Sequence, residues 1–514
     1  MGNKAGSKKE KIKNAGEKFI FEDFVICDEF TSGINDSDVK INPNLIVSEV
    51  KSDPFEVYKI IKSIGEGTFG KVNLVEHKVT GKVRAMKIIQ KMNIKYPSIS
   101  NEQSIMNELS ILRKIDHPNV LKIYEYYIDE ENYYLITEYC PNGDLYNVMK
   151  NEFLSEIQIA CIMYQILLAI NHIHKLQIMH RDLKLENILV SKKEESGLYR
   201  VKICDFGTSH LFKDGEKEKN ITGSGYYIAP EVLKQKYDFK CDLWSCGVIM
   251  YVLLTKKVPF AGRDPKEMRS NIIKGDYIKE PISNYSQNIK DLVDDLLERN
   301  NEKRLNAEKA LTYELFKTYQ CKERINELNP EEIKLYIDNI KKYKKHNNLV
   351  EIVLTYLIHN SDYEEIEGPL KLFNKLDKEE SGKISFMDFY EGICFLSGEN
   401  MYEDSARIIF HNLDTNNNNY IETEEFIKAA VDKKLFSTEK MIKFAFNFVD
   451  IKKTGLITIE NIIDLFKDNS DEDKDKEENV KKEFEKIFNT VDLDKDGKID
   501  FNEFTIFMKT FLEQ

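Results

Sequence analysis

The chain has 514 residues, of which 41% are hydrophobic and 32% charged, a profile that admits roughly two to four soluble globular domains with a solvated linker. Its formal net charge of −13 argues against a general nucleic-acid binder, which needs a basic surface. The 8 cysteines are scattered without a CxxC pair, so a disulfide framework or zinc cluster is not expected and a reducing cytoplasm fits best.

The chain opens MGNKAGSKKEKIK. This start lacks the apolar core of a signal peptide, and no later run approaches the ~18 apolar residues of a membrane span. Gly2 stands where myristoylation follows removal of Met1, although Gly6 replaces the Ser or Thr of that pattern. Lys4, Lys8, Lys9, Lys11 and Lys13 would supply the electrostatic second signal that a single acyl chain needs at a membrane. A disordered basic tail is the alternative reading of this extension, which runs to residue 57.

The first chemical signal is IGEGTFGKV, where Gly65, Gly67 and Gly70 match G-x-G-x-x-G and Val72 follows. Glycines let backbone N–H groups come close enough to cover phosphates. Alone, such a pattern is weak. The next element, VRAMKII, reads as a buried strand carrying Lys87, a charge that requires a partner. Glu108 supplies one from SIMNELSILRKI, beside a helical stripe of Ile105, Leu109 and Leu112. Downstream follow HRDLKLEN (His180 to Asn187), CDFG with Asp205, and APE (Ala229 to Glu231).

Order and spacing match the protein-kinase signature set, and residues 58–316 resemble a eukaryotic protein kinase catalytic domain. That resemblance implies ATP and Mg²⁺ as cofactors. It implies that Asp182 orients the substrate hydroxyl and accepts its proton, Lys184 steadies the γ-phosphate, and Asn187 and Asp205 hold Mg²⁺. Lys87, paired to Glu108, would reach two phosphates, with Ile64, Gly65, Gly67, Gly70, Val72 and Ala85 around the nucleotide. In LITEYC, Glu138 and Cys140 would bind adenine through their backbones, with Thr137 guarding the rear pocket. Asp144 would contact ribose or a basic substrate residue, while Asp242 and the Glu231–Arg304 pair would be structural. Leu185 replaces the usual Pro, and Ser224 the usual Thr. Both replacements spare the chemistry, so serine/threonine specificity is expected, with a basic residue upstream of the acceptor, held at Asp144 and Glu186.

Next comes LNPEEIKLYIDNIKKYKKHNN, with Asn329 as N-cap and Pro330 at the first helical position. Ile333, Tyr336, Ile337 and Ile340 form an apolar stripe, and Lys341, Lys342, Lys344 and Lys345 a basic cluster. This segment reads either as a solvated connector or as an element that occupies the kinase cleft at rest. LVEIVLTYLI (Leu349 to Ile358) is apolar enough for capture by a hydrophobic groove.

Four twelve-residue loops then recur, starting at Asp377, Asp414, Asp450 and Asp492. Each places Ile at its eighth position (Ile384, Ile421, Ile457, Ile499), through which EF-hands pair. The fourth is richest in ligands, with Asp492, Asp494, Asp496, the Lys498 carbonyl, Asp500 and Glu503 around Gly497. The second offers Asp414, Asn416, Asn418, the Tyr420 carbonyl, Glu422 and Glu425, with Asn419 at the turn. In the first, Glu379 and Ser381 precede a terminal Asp388 whose reach is short. The third, DIKKTGLITIEN, puts Lys452 and Asn461 at ligand positions and reads as a frame kept for pairing. The stretch DNSDEDKDKEEN, between the third and fourth, reads as a solvated insert.

From about residue 58 to the C-terminus the chain is similar to the calcium-dependent protein kinases of plants, ciliates and apicomplexan parasites. The resemblance implies an α+β chain: a bilobal kinase at 58–316, a helical junction at 317–366 and an all-α calmodulin-like domain of four EF-hands at 367–514. It also implies a Ca²⁺-activated Ser/Thr kinase, inhibited at rest by its own junction. The rivals are an EF-hand buffer beside a constitutive kinase and a scaffold with a silent kinase fold.

Overall fold

A computed structural model of the chain describes residues 50, 52–67, 70–91, 101–213, 215–344, 347–379, 381–466, 485–486 and 488–512. Gly2 and its lysines, the tip of the glycine loop, Lys345 and the acidic insert lie outside them.

The strands β1 (Tyr58–Gly67), β2 (Gly70–His77) and β3 (Val83–Gln90) precede helix α1 (Asn101–Leu112), which β4 (Ile123–Ile128) and β5 (Asn132–Thr137) follow. They form one antiparallel sheet in the order β1-β2-β3-β5-β4. Aromatic and branched residues alternate across its pleat. Tyr58, Val75, Met86, Tyr127 and Ile136 build a core on one face, while Ile89 and Leu135 share another with Ile105 and Leu109 of α1. Gly70 is obligatory: its φ is +153°, and a Cβ there would run into the carbonyl of Ile88.

The lower lobe is built on α2 (Glu156–Lys175), which starts at a Ser155/Gln158 capping box. Contrary to the sequence expectation, α2 is long and apolar enough to cross a membrane; it lies mostly buried in the lobe. A hairpin of β6 (Ile188–Lys193) and β7 (Tyr199–Ile203) forms the cleft floor. Helix α3 (Cys241–Thr255) is buried from Cys241 to Leu254, Asp242 in its first turn included.

Helix α4 (Cys321–Ile325) leads out of the kinase to α5 (Pro330–Lys342), α6 (Asn348–His359) and α7 (Tyr363–Leu376). Asn329 and Glu332 close the expected capping box on α5. A second capping box, Asp362 with Glu365, starts α7. The sequence boundary between 366 and 367 therefore falls inside a helix. Sequence reading missed it because the cap precedes the loop ligands by about four turns.

The four loops fold as two lobes. Ile384 pairs with Ile421 in a short antiparallel ladder. Ile457 and Ile499 exchange N–H···O bonds of 2.9 and 2.8 Å. In the third loop Asp450 accepts from the Thr454 and Gly455 amides at 3.1 and 2.7 Å. Asn461 Oδ1 accepts from Thr458 N at 2.9 Å, where Glu503 accepts from Asp500 N at 2.9 Å in the fourth. The amide keeps the helix cap and forgoes chelation.

Replacing Ile457 by Gly removes a side chain that is 1% exposed, a change of roughly 2–5 kcal/mol in a core. The expected outcome is weaker calcium binding at the fourth loop with every ligand intact, measured by titration calorimetry of the full chain. Unchanged affinity would refute the pairing role.

The junction does not stand in the kinase cleft in this structure. Ile337, Ile340 and Tyr343 from α5 and its C-cap pack against Phe373, Phe389 and Phe426 of the first EF lobe. Val350, Val353 and Leu357 of α6 enter the second lobe beside Phe446, Val449 and Met508. A buried pair, Lys428 with Glu351 at 3.1 Å, locks α6 to the second EF unit. The regulatory half meets the kinase on its back face. Arg84 pairs with Asp362 and covers the Tyr124 ring at 4.0 Å, and Lys82 pairs with Glu365. Lys192 reaches Glu367 at 3.0 Å, and Lys322 donates to the Asp377 carbonyl at 3.0 Å.

Candidate active site and calcium-binding loops

The cleft gathers residues from both lobes. On β3, Lys87 lies 3.3 Å from Glu108 on α1 and 3.7 Å from Asp205. Burial alone would lower the Lys87 pKa, but these two acids hold its ammonium above the ordinary lysine value. Asp205 has φ +66°, a left-handed geometry that few non-glycine residues adopt and that favours functional sites.

Asp182 sits opposite. Lys184 Nζ donates to its Oδ2 at 2.8 Å, and the Ser224 hydroxyl to its Oδ1 at 2.7 Å. Burial pushes the Asp182 carboxyl up, yet these bonds outweigh it and hold the pKa below the usual value. Asn187 Nδ2 donates to the Asp182 carbonyl at 2.9 Å. The hydroxyl retained at Ser224 thus bridges Asp182 and Lys184, also accepting from Lys184 at 3.0 Å.

The scaffold beneath is polar and saturated. Asp242, 1% exposed, accepts from the His180 and Arg181 amides and from His174, each at 2.9 Å. These bonds orient the loop carrying Asp182. Arg304 is buried, its guanidinium forked onto Glu231. Both are structural, as the sequence predicted.

The residues expected to face a nucleotide are brought together on the sheet. Val72 lies opposite Lys87 on β2 and β3, and Ala85 opposite Thr137 on β5. Ile64, Gly65 and Gly67 line β1 above them. Beyond β5, the Cys140 side chain is buried. The Glu138 carboxylate turns to Lys202 at 3.0 Å, and its backbone N–H donates to the Lys122 carbonyl at 2.9 Å. Asp144 carries a second, structural role. It N-caps a short helix, accepting from Asn147 N at 2.8 Å and Asn147 Nδ2 at 2.9 Å, so any ribose or substrate contact is shared with a cap.

Sequence reading missed Glu218. Arg181, directly before Asp182, lies 3.4 Å from it, and His210 3.3 Å. The signal was the arginine itself, a mostly buried cation beside Asp182 that needs an acid for a partner.

The second and fourth loops share one internal geometry. Glu425 Oε1 accepts from the Thr415 and Asn416 amides at 2.8 and 3.2 Å. Glu503 Oε1 does the same with Leu493 and Asp494, at 2.8 and 3.2 Å. Burial raises the Glu425 pKa, as for a carboxylate that a cation would keep charged. Asp492, Asp494 and Asp496 offer carboxylate oxygens within 4.8 Å of one another, a hard donor set that fits calcium. Lys498 and Asp500 complete that loop. Asp414 accepts from the Asn418 and Asn419 amides at 3.0 and 2.9 Å, with Asn419 in the left-handed region. Asn416 and Asn418 both reach Glu422, and Tyr420 N donates to Asn418. In the first loop Asp388 is engaged by Ser385 at 2.7 Å and Lys378 at 3.3 Å.

A glycine loop, a buried lysine–acid pair and an aspartate–asparagine–aspartate cluster between two lobes define a protein kinase, and the protein kinase domain family matches residues 58–316. The EF-hand domain pair matches residues 439–509. Calcium-dependent protein kinase 4 of Plasmodium berghei (strain Anka) is 33% identical over 479 residues, covering 90% of this chain and 88% of that protein. The namesake from Plasmodium falciparum (isolate 3D7) gives the same figures. Calcium-dependent protein kinase 5 of that species is 32% identical over 466 residues, covering 90% and 78%. The chain belongs to the calcium-dependent protein kinase family.

Proposed function

We propose that this chain is a calcium-activated serine/threonine protein kinase that transfers the γ-phosphate of ATP to protein hydroxyls. The observation that carries the reading is the intact cluster of Lys87, Glu108, Asp182, Asn187 and Asp205 in a chain whose junction helices are held inside two EF lobes.

Asn187 and Asp205 offer hard oxygen donors suited to Mg²⁺, and Lys87 is placed for the nucleotide phosphates. When bound, MgATP supplies the phosphoryl group and neutralises its charge. Asp182, kept ionised by Lys184 and Ser224, receives the substrate hydroxyl and takes its proton. Lys184 stands beside it to balance charge on the transferring group. The backbones of Glu138 and Cys140 would hold the adenine, and Ile64, Val72 and Ala85 would give it apolar surroundings.

Regulation follows from the helical half. The second and fourth EF loops bind Ca²⁺, and the lobes they build hold α5 and α6 away from the cleft. At rest, with the lobes closed, the junction is free to block the cleft. This is a bistable element biased by a local charge event. The N-terminal Gly2 and its lysines are proposed to favour a membrane surface, leaving a cytoplasmic enzyme with a membrane-associated fraction.

Asp144 and Glu186 place negative charge beside the substrate path. A peptide library with Ser, Thr and Tyr acceptors, phosphorylated in calcium and MgATP, is expected to carry label on Ser or Thr, with Lys or Arg enriched a few residues upstream. A flat upstream profile would remove the acidic subsite, and label on tyrosine would remove the serine/threonine assignment.

A further inference from the structure

The helix that follows the second calcium loop, Thr423–Ala430, carries Lys428, which is 3% exposed. A charge this deep requires a partner. Lys428 Nζ lies 3.1 Å from Glu351 Oε2 on α6 and 3.8 Å from Glu424 on its own helix. Burial alone would lower the Lys428 pKa, but Glu351, Glu424 and Glu425 hold its ammonium above the ordinary lysine value.

The pair sits in a chain of bonds that spans both junction helices. Glu351, itself 7% exposed, accepts from the Tyr343 hydroxyl at 2.8 Å. Thr355, one turn further along α6, donates to Glu424 Oε1 at 2.8 Å. Asn339 on α5 donates to the Ala430 carbonyl at 2.9 Å. Glu351, Thr355 and Asn339 thus tie α5 and α6 to one EF helix. The contacts of α6 with the second lobe through Val350, Val353 and Leu357 are apolar and have no preferred direction.

A buried ion pair adds little net stability, because desolvation offsets the attraction, yet misalignment strands both charges. Such a contact holds in one geometry or not at all. The same helix presents Glu425, three residues before Lys428, to the loop amides of Thr415 and Asn416. One rigid element therefore carries both the calcium ligand and the junction contact, and packed elements shift between discrete arrangements. We propose that Lys428 couples the second calcium loop to the junction: with Glu425 on calcium, the helix sets Lys428 and Glu424 where Glu351 and Thr355 meet them. This coupling rests on the calcium-controlled kinase reading above and names the contact through which that control passes.

The test is a calcium titration of phosphotransfer by the full chain at fixed MgATP, with hydrogen–deuterium exchange on the same proteins. Lys428→Met and Glu351→Gln should each raise the calcium for half-maximal activity roughly tenfold, as one charge is left buried and unpaired. Changing both should shift the midpoint by less than the two shifts combined, since the pair acts as one unit. Thr355→Val, which keeps the side-chain shape, should move the midpoint the same way by about threefold. At saturating calcium, Lys428→Met should speed exchange of the α6 amides and leave those of the second loop slow, whereas damage to the loop itself would speed both. An unchanged midpoint in Lys428→Met overturns the proposal, as do additive shifts or fast exchange in the loop. If circular dichroism shows Lys428→Met unfolded, the midpoint of Thr355→Val decides alone. A parent chain equally active with calcium and with a chelator would overturn the reading of calcium control itself, and this coupling with it.

Discussion

Asp182→Asn is expected to lower phosphotransfer by roughly 10²–10⁴-fold, the span of a positioned general base, without changing calcium binding. The amide retains the shape of the side chain but loses the charge that Lys184 and Ser224 hold in place at 2.8 and 2.7 Å. Its nitrogen would also face one of those donors, so the loop loses a bond as well as a base. Lys87→Met should match it for a different reason: Glu108 and Asp205 would then share a buried site with no cation between them. Single-turnover transfer from labelled ATP, run beside calcium calorimetry, checks both. Substantial transfer by Asp182→Asn would remove that residue from its assigned role.

The second large effect is expected at the calcium loops. Glu503→Gln and Glu425→Gln should each raise the calcium needed for half-maximal activity, on the order of tenfold or more, because ligand charge sets EF-hand affinity. The geometry adds a further penalty. Glu503 uses one oxygen for Leu493 and Asp494 and the other for Asp500. A glutamine amide must turn an N–H group toward one of those donors. Lys452→Ala in the third loop should leave the number of bound ions unchanged, since Asn461 is committed to capping at Thr458. A calcium titration of activity that does not shift in Glu503→Gln would assign the response elsewhere.

Much of this was legible in the sequence because the chemistry is local. The loop ligands lie within twelve residues of one another, and Gly70, Lys87, Asp182 and Asp205 each sit in a short motif whose spacing fixes its geometry. The pairing role of Ile457 could be read from its position alone. The contacts that hold the two halves together could not. Arg84 and Lys82 are ordinary charges on a strand until Asp362 and Glu365 arrive from some 280 residues away. Glu218 carries no motif and gains meaning only from Arg181. The junction was ambiguous for a physical reason: an amphipathic helix declares an apolar face, and its sequence does not say which groove covers it. The structure places that face inside the EF lobes.

The most direct test of calcium control is phosphotransfer by the full chain at fixed MgATP, measured in excess calcium and again after a calcium chelator. The rate is predicted to collapse with the chelator and to return when calcium is restored. Equal rates in the two conditions would contradict the account and leave a constitutive kinase beside a calcium buffer, and no transfer in either would leave a scaffold.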